Sequence, residues 1–77
     1  MTRLPSLSSD DIARALRKAG FAHAPKRGKG SHIAMFKQDA RGKHLVIIPK
    51  RKDVPMGTML AIFDQAGLLR EEFIALL

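Results

Sequence analysis

Two apolar runs, Ile33-Ala34-Met35-Phe36 and Leu45-Val46-Ile47-Ile48, stand on either side of the turn-forming tetrad Asp39-Ala40-Arg41-Gly42. A separation this short joins antiparallel neighbours, because a parallel pair needs a crossover of a dozen residues or more. The pattern predicts strands over Ser31 to Lys37 and over Lys43 to Ile48, the second stopped by Pro49. Both runs are apolar at odd and even positions alike. Helices covering one sheet face therefore leave an apolar second face that a partner could cover.

The flanking segments read as helices. Ser8 with Asp11 three residues on has the spacing of a capping box, and Leu7 and Ile12 are placed as a hydrophobic staple. Ile12, Ala15, Leu16 and Ala19 recur at helical spacing until Gly20 supplies a left-handed stop. Phe21 to Ala24 is expected as a short first strand ended by Pro25, and Pro25 to Gly30 as a turn. Beyond the basic connection Lys50 to Pro55, Gly57-Thr58 opens a helix carrying Met59, Leu60, Ile62, Phe63 and Ala66, ended by Gly67. Arg70 to Leu77 is a last helical segment, with Glu71 and Glu72 near its start. The expected fold is α+β, α-β-β-β-α, with a three-stranded antiparallel sheet and helices on one face.

Seventy-seven residues make one domain, taken as 1–77, with a single core. No stretch approaches the roughly 20 apolar residues of a membrane span, and no signal-peptide pattern opens the chain. The chain has no cysteine, so a reducing cytoplasm is its expected setting. The formal charge is +7, and it is segregated. Residues 37–56 hold six Lys/Arg against two acids, whereas residues 57–77 hold one against three. A segregated basic surface favours phosphate-bearing partners, nucleic acid first.

Gly30-Ser31-His32, following Lys26-Arg27-Gly28-Lys29, places an imidazole at a strand mouth beside cations. RNA brings its own nucleophile, the 2′-hydroxyl. Its cleavage needs only a group to move protons and cations for the crowded phosphorane. His32 is the candidate acid–base group, with Lys26, Arg27 and Lys29 holding phosphate. Gly30 allows close backbone approach, and Ser31 offers a hydroxyl and an N–H. On residue logic alone a structural or ordinary surface histidine is the commoner case at a strand start, and more so for His23 and His44, although His44 could reach phosphate. The histidines lack metal-ligand spacing and the acids are scattered, so neither metal nor cofactor is expected. All four phenylalanines lie in apolar patterns, which argues against a base-stacking platform.

The ordered set of motifs resembles the HicA-type toxins, or YcfA-like mRNA interferases, of bacterial type II toxin–antitoxin systems. It comprises Leu16-Arg17-Lys18-Ala19-Gly20-Phe21, Gly30-Ser31-His32 with its strand to Phe36, and the strand ending at Pro49. Gly57-Thr58-Met59 to Ile62 and Gln65-Ala66-Gly67-Leu68 to Glu72-Phe73 complete it. The resemblance implies a fold similar to double-stranded RNA-binding domains and metal-independent cleavage of mRNA by His32. It implies a HicB-like antitoxin that covers His32, with a monomer when free and a hetero-oligomer when inhibited. Family members often carry a further histidine two positions after the proline that ends the third strand. Here Arg51 stands there, and arginine cannot exchange a proton near neutral pH. With His32 as the catalytic group, Lys50 or Arg51 joins the residues expected to hold phosphate. Two other classes stay open: a non-catalytic RNA-binding domain of the same fold, and a subunit whose apolar sheet face serves protein contact.

Overall fold

The computed structural model describes residues 6–24 and 32–77. The elements are α1 (Ser9–Lys18), β1 (Ala22–His23), β2 (His32–Asp39), β3 (Gly42–Pro49), α2 (Met56–Ala66) and α3 (Arg70–Ile74). The three strands form one antiparallel sheet in the order β1-β2-β3. This is the α+β arrangement expected from the sequence. Among the described residues no helix is long and apolar enough to cross a membrane.

The start of α1 follows from four side chains. Ser8 Oγ accepts from the Asp11 N–H at 3.1 Å, and Asp11 Oδ2 accepts from the Ser8 N–H at 3.1 Å. Two N–H groups that the helix leaves without partners are thereby satisfied. Leu7 and Ile12 are both buried, as a staple requires. At the far end Gly20 has φ +100°, and Lys37 from β2 donates to the Ala19 carbonyl at 2.7 Å. That bond fastens the C-terminus of α1 to the sheet, where a cation suits the helix dipole.

The β2–β3 hairpin is longer and tighter than expected. Its register runs without interruption from His32 opposite Pro49 to Asp39 opposite Gly42, leaving Ala40 and Arg41 as the turn. Asp39 and Gly42, read from sequence as turn residues, are its closing pair. The Asp39 carboxylate accepts from the Arg41 N–H at 2.9 Å, and Gly42 has φ +123°. Pro49 belongs to β3, where a proline is tolerated at the end of an edge strand. β1 is shorter than expected, α2 starts at Met56, and regular α3 stops at Ile74. Leu69 has no polar side chain to cap α3, but its N–H donates to Glu72 Oε1 at 2.8 Å.

Met35, Val46 and Ile48 point to the helices and are buried with Ile12, Leu16, Met59, Ile62, Phe63 and Phe73. Phe63 and Phe73 hold α2 to α3 with ring centroids 4.6 Å apart. Directly paired residues share a sheet face, and the face alternates along each strand. Phe36 and Leu45 are thus neighbours on the outer face, with Ala34 and Ile47 the next pair along it. Phe36, Leu45 and Ile47 are 36%, 38% and 36% exposed. Of the phenylalanines, three are in the core and Phe36 is not.

Candidate functional site

His32 is the first residue of β2, is exposed, and lies opposite Pro49. By the alternation of faces it stands in line with Ala34 and Phe36 on the outer side of the sheet. Pro49 leads directly into Lys50, Arg51 and Lys52, all exposed. The strand pairing therefore brings together, at one end of the sheet, His32 and the basic connection that follows β3. Lys26, Arg27, Lys29, Gly30 and Ser31, the other residues expected at this site, lie outside the described residues.

The basic connection is held by the segment that precedes and opens α1. Ser9 N–H donates to the Arg51 carbonyl at 2.9 Å, and Arg51 N–H donates to Ser9 Oγ at 3.2 Å. Val54 N–H donates to the Leu7 carbonyl at 2.8 Å, and Ser6 Oγ donates to Asp53 Oδ1 at 2.7 Å. Ser9 is the buried polar residue of the described chain, which places this clasp at the margin of the core. Between the two clasped segments is a cleft of about 280 Å³ lined by Ser8, Ser9, Asp10, Lys50, Arg51 and Lys52. A second groove, of about 230 Å³ between α1 and Leu76–Leu77, is lined by none of the expected site residues.

The other histidines sit differently. His23 is exposed on β1. His44, placed by sequence where it could reach phosphate, instead has Nε2 3.2 Å from Asp39 Oδ1 and only 17% of its side chain exposed. Its ring also lies against Gly67, where a Cβ would be 3.3 Å from His44 Cε1. These contacts give His44 a place in the hairpin rather than at the candidate site. The Arg41 N–H, first, and then His44 hold the Asp39 carboxyl below its ordinary pKa. Asp11 is lowered likewise by the backbone and hydroxyl of Ser8. Among the described residues no three His, Cys, Asp or Glu side chains gather as a metal site would require.

Of the residues gathered at this end of the sheet, the sequence singled out His32, Lys50 and Arg51 as candidates, and neither Lys52 nor Ser9. The signal for Lys52 was present in the unbroken run Lys50-Arg51-Lys52. Ser9 gave none, since its partner lies 42 residues away. A family model described as the HicA toxin of bacterial toxin–antitoxin systems matches residues 9–68. The match spans α1 through the end of α2 and includes both His32 and the clasped basic connection. No curated protein matches the chain.

Proposed function

Because this chain belongs to the HicA toxin family of bacterial toxin–antitoxin systems, in which an antitoxin is the counterpart, we propose that it is a metal-independent endoribonuclease. In this reading it cleaves mRNA through His32 and is silenced by a HicB-like antitoxin. The 2′ oxygen of RNA attacks the adjacent phosphorus, the 2′-O–P bond forms, and the bond from phosphorus to the 5′ oxygen breaks. The 2′ proton must leave and the departing 5′ oxygen must gain one, so the ends produced are a 2′,3′-cyclic phosphate and a 5′-hydroxyl. An imidazole is suited to either transfer near neutral pH, with a contribution on the order of 10² to 10⁴ in rate.

The observation that carries the reading is the position of His32, exposed at a strand mouth and paired with Pro49, from which Lys50 and Arg51 continue. Cations so placed stabilise charge on the phosphorane oxygens. Lys26, Arg27 and Lys29, with the Gly30 backbone and the Ser31 hydroxyl, complete the phosphate clamp. Arg51 serves there as a permanent charge, leaving proton transfer to His32.

The antitoxin is proposed to pack on the outer sheet face. Phe36, Leu45 and Ile47 offer exposed apolar surface there, in line with His32. A partner seated on them reaches the catalytic end without any change in the toxin's fold. Its surface over the basic residues should be acidic, since buried charge is costly unless paired.

The test is incubation of the purified protein with mRNA in the presence of a chelator. Cleavage leaving 2′,3′-cyclic phosphate ends, lost in a folded His32→Ala variant, is the expected result. A His32→Ala protein that cleaves at the parental rate overturns the assignment. Arg51 in the place of a second family histidine favours one other reading, a non-catalytic RNA-binding domain. Gel shifts by the parent without cleavage would select it.

A further inference from the structure

Three consecutive cations, Lys50, Arg51 and Lys52, follow β3, and all are exposed. On an unrestrained loop such a run would have to be ordered when it bound a ligand, at a cost in affinity. Here the backbone of the run is tethered before any ligand arrives. Arg51 is fixed through its backbone N–H and carbonyl to Ser9, Val54 through its N–H to Leu7, and the Asp53 carboxylate receives the Ser6 hydroxyl. The cations line one wall of the 280 Å³ cleft, facing Ser8, Ser9 and Asp10.

The cationic side chains carry the attraction in this cleft, because two N–H groups at the start of α1 are already taken. The Ser9 N–H is committed to Arg51 and the Asp11 N–H to Ser8 Oγ. Three cations stand against the single carboxylate of Asp10 in the lining. The cleft is also close to His32. Paired Cα atoms are about 4.5 to 5.5 Å apart and successive ones 3.8 Å, so the Lys52 Cα is at most about 17 Å from that of His32. At about 3.4 Å per stacked nucleotide, that is a span of no more than about five nucleotides.

We propose that this cleft binds a backbone phosphate of the RNA strand that passes His32, with Lys52 as an additional phosphate-binding residue. The proposal rests on the ribonuclease reading for the choice of RNA as the polyanion. It assigns Lys52 to substrate binding and gives it no part in proton transfer.

The experiment measures binding of a fully 2′-O-methylated single-stranded RNA oligonucleotide, which lacks the nucleophile, across a series of salt concentrations. The proteins are the parent, Lys52→Ala and Lys18→Ala, the last lying in the final turn of α1 away from the cleft lining. Each phosphate contact to a single strand contributes about 0.7 to the slope of log K against log[salt]. Lys52→Ala should lose about that much slope and bind several-fold more weakly, while Lys18→Ala keeps the parental slope. In single-turnover cleavage of unmodified RNA, Lys52→Ala should need several-fold more protein than the parent to reach its half-maximal rate. A parental slope in Lys52→Ala, or an equal loss in Lys18→Ala, overturns the subsite while leaving the ribonuclease reading intact. A parent that binds no RNA overturns that reading and the subsite with it.

Discussion

Ser9 and Arg51 exchange two hydrogen bonds, the Ser9 N–H giving to the Arg51 carbonyl and the Arg51 N–H to the Ser9 hydroxyl. One residue opens the first helix and the other lies in the connection after the last strand. Their exchange sets the position of the basic connection by the helix rather than by its own flexibility. Ser9→Ala removes one acceptor and leaves the Arg51 N–H unpaired in a partly buried place. The expected loss is about 1 kcal/mol, which lowers the melting temperature by about 4 to 8 °C in a domain of this size. Thermal unfolding followed by circular dichroism checks it, and an unchanged midpoint would show the bond to be dispensable.

Gly67 and Gly57 should respond in opposite directions to the same substitution. Gly67 ends α2 at φ +70°, and a Cβ there meets His44 at 3.3 Å. The left-handed conformation alone costs an ordinary residue about 1 to 2 kcal/mol, so Gly67→Ala should be destabilising by at least that. Gly57 has open space around a Cβ and sits in the first turn of α2. Gly57→Ala should stabilise by about 0.5 kcal/mol through the unfolded chain. Denaturant midpoints of the two variants test the pair.

Acid should weaken the fold through Asp11 and Asp39, whose carboxyls are held below their ordinary pKa in the native state. In the window between the lowered native values and the unfolded value of about 3.9, the unfolded chain binds more protons. Stability is therefore fully present above that unfolded value and falls as pH drops through the native ones. The melting temperature should decline below about pH 4, and Asp39→Asn should make the decline shallower. A decline of equal steepness in Asp39→Asn would remove Asp39 from the effect.

Ile47→Glu should separate the two surfaces of the protein. Ile47 is partly exposed on the outer sheet face, so the fold should tolerate the change. RNA cleavage should persist, whereas a charge within an apolar contact should cost the antitoxin complex about 2 kcal/mol, near 30-fold in affinity. Titration of the variant with a HicB-like antitoxin measures this, and undiminished affinity would place the contact elsewhere.

The parts legible in the sequence are those fixed by neighbours within a few residues. Ser8 and Asp11 announced the capping box by their spacing, and Gly20 and Gly67 marked the helix ends, where both have positive φ. The hairpin turn was located but drawn too wide, because the pairing of Asp39 with Gly42 depends on register and not on turn chemistry alone. What stayed hidden depends on distant partners. The Ser9–Arg51 exchange joins residues 42 apart, and His44 is withdrawn from solvent by Asp39 and by the end of α2. Phe36 followed the same apolar pattern as the core phenylalanines, since a strand apolar on both faces carries no mark of which one the helices cover. At the candidate site His32 was legible as a position, and its alignment with the basic connection became visible only through the pairing with Pro49.

The hydrogen bond from the Ile47 N–H to Gln65 Oε1, 3.2 Å long, has a consequence for life at high concentration. β3 is the outer strand on its side of the sheet, and β1, on the other side, is only two residues long. An outer strand with apolar side chains and free N–H groups invites a strand from another molecule, which is how soluble proteins begin to aggregate. Gln65 occupies one of those N–H groups from a helix that packs against the same strand. A foreign chain must displace it before it can zip onto β3, so the edge is guarded where Leu45 and Ile47 make it most adhesive.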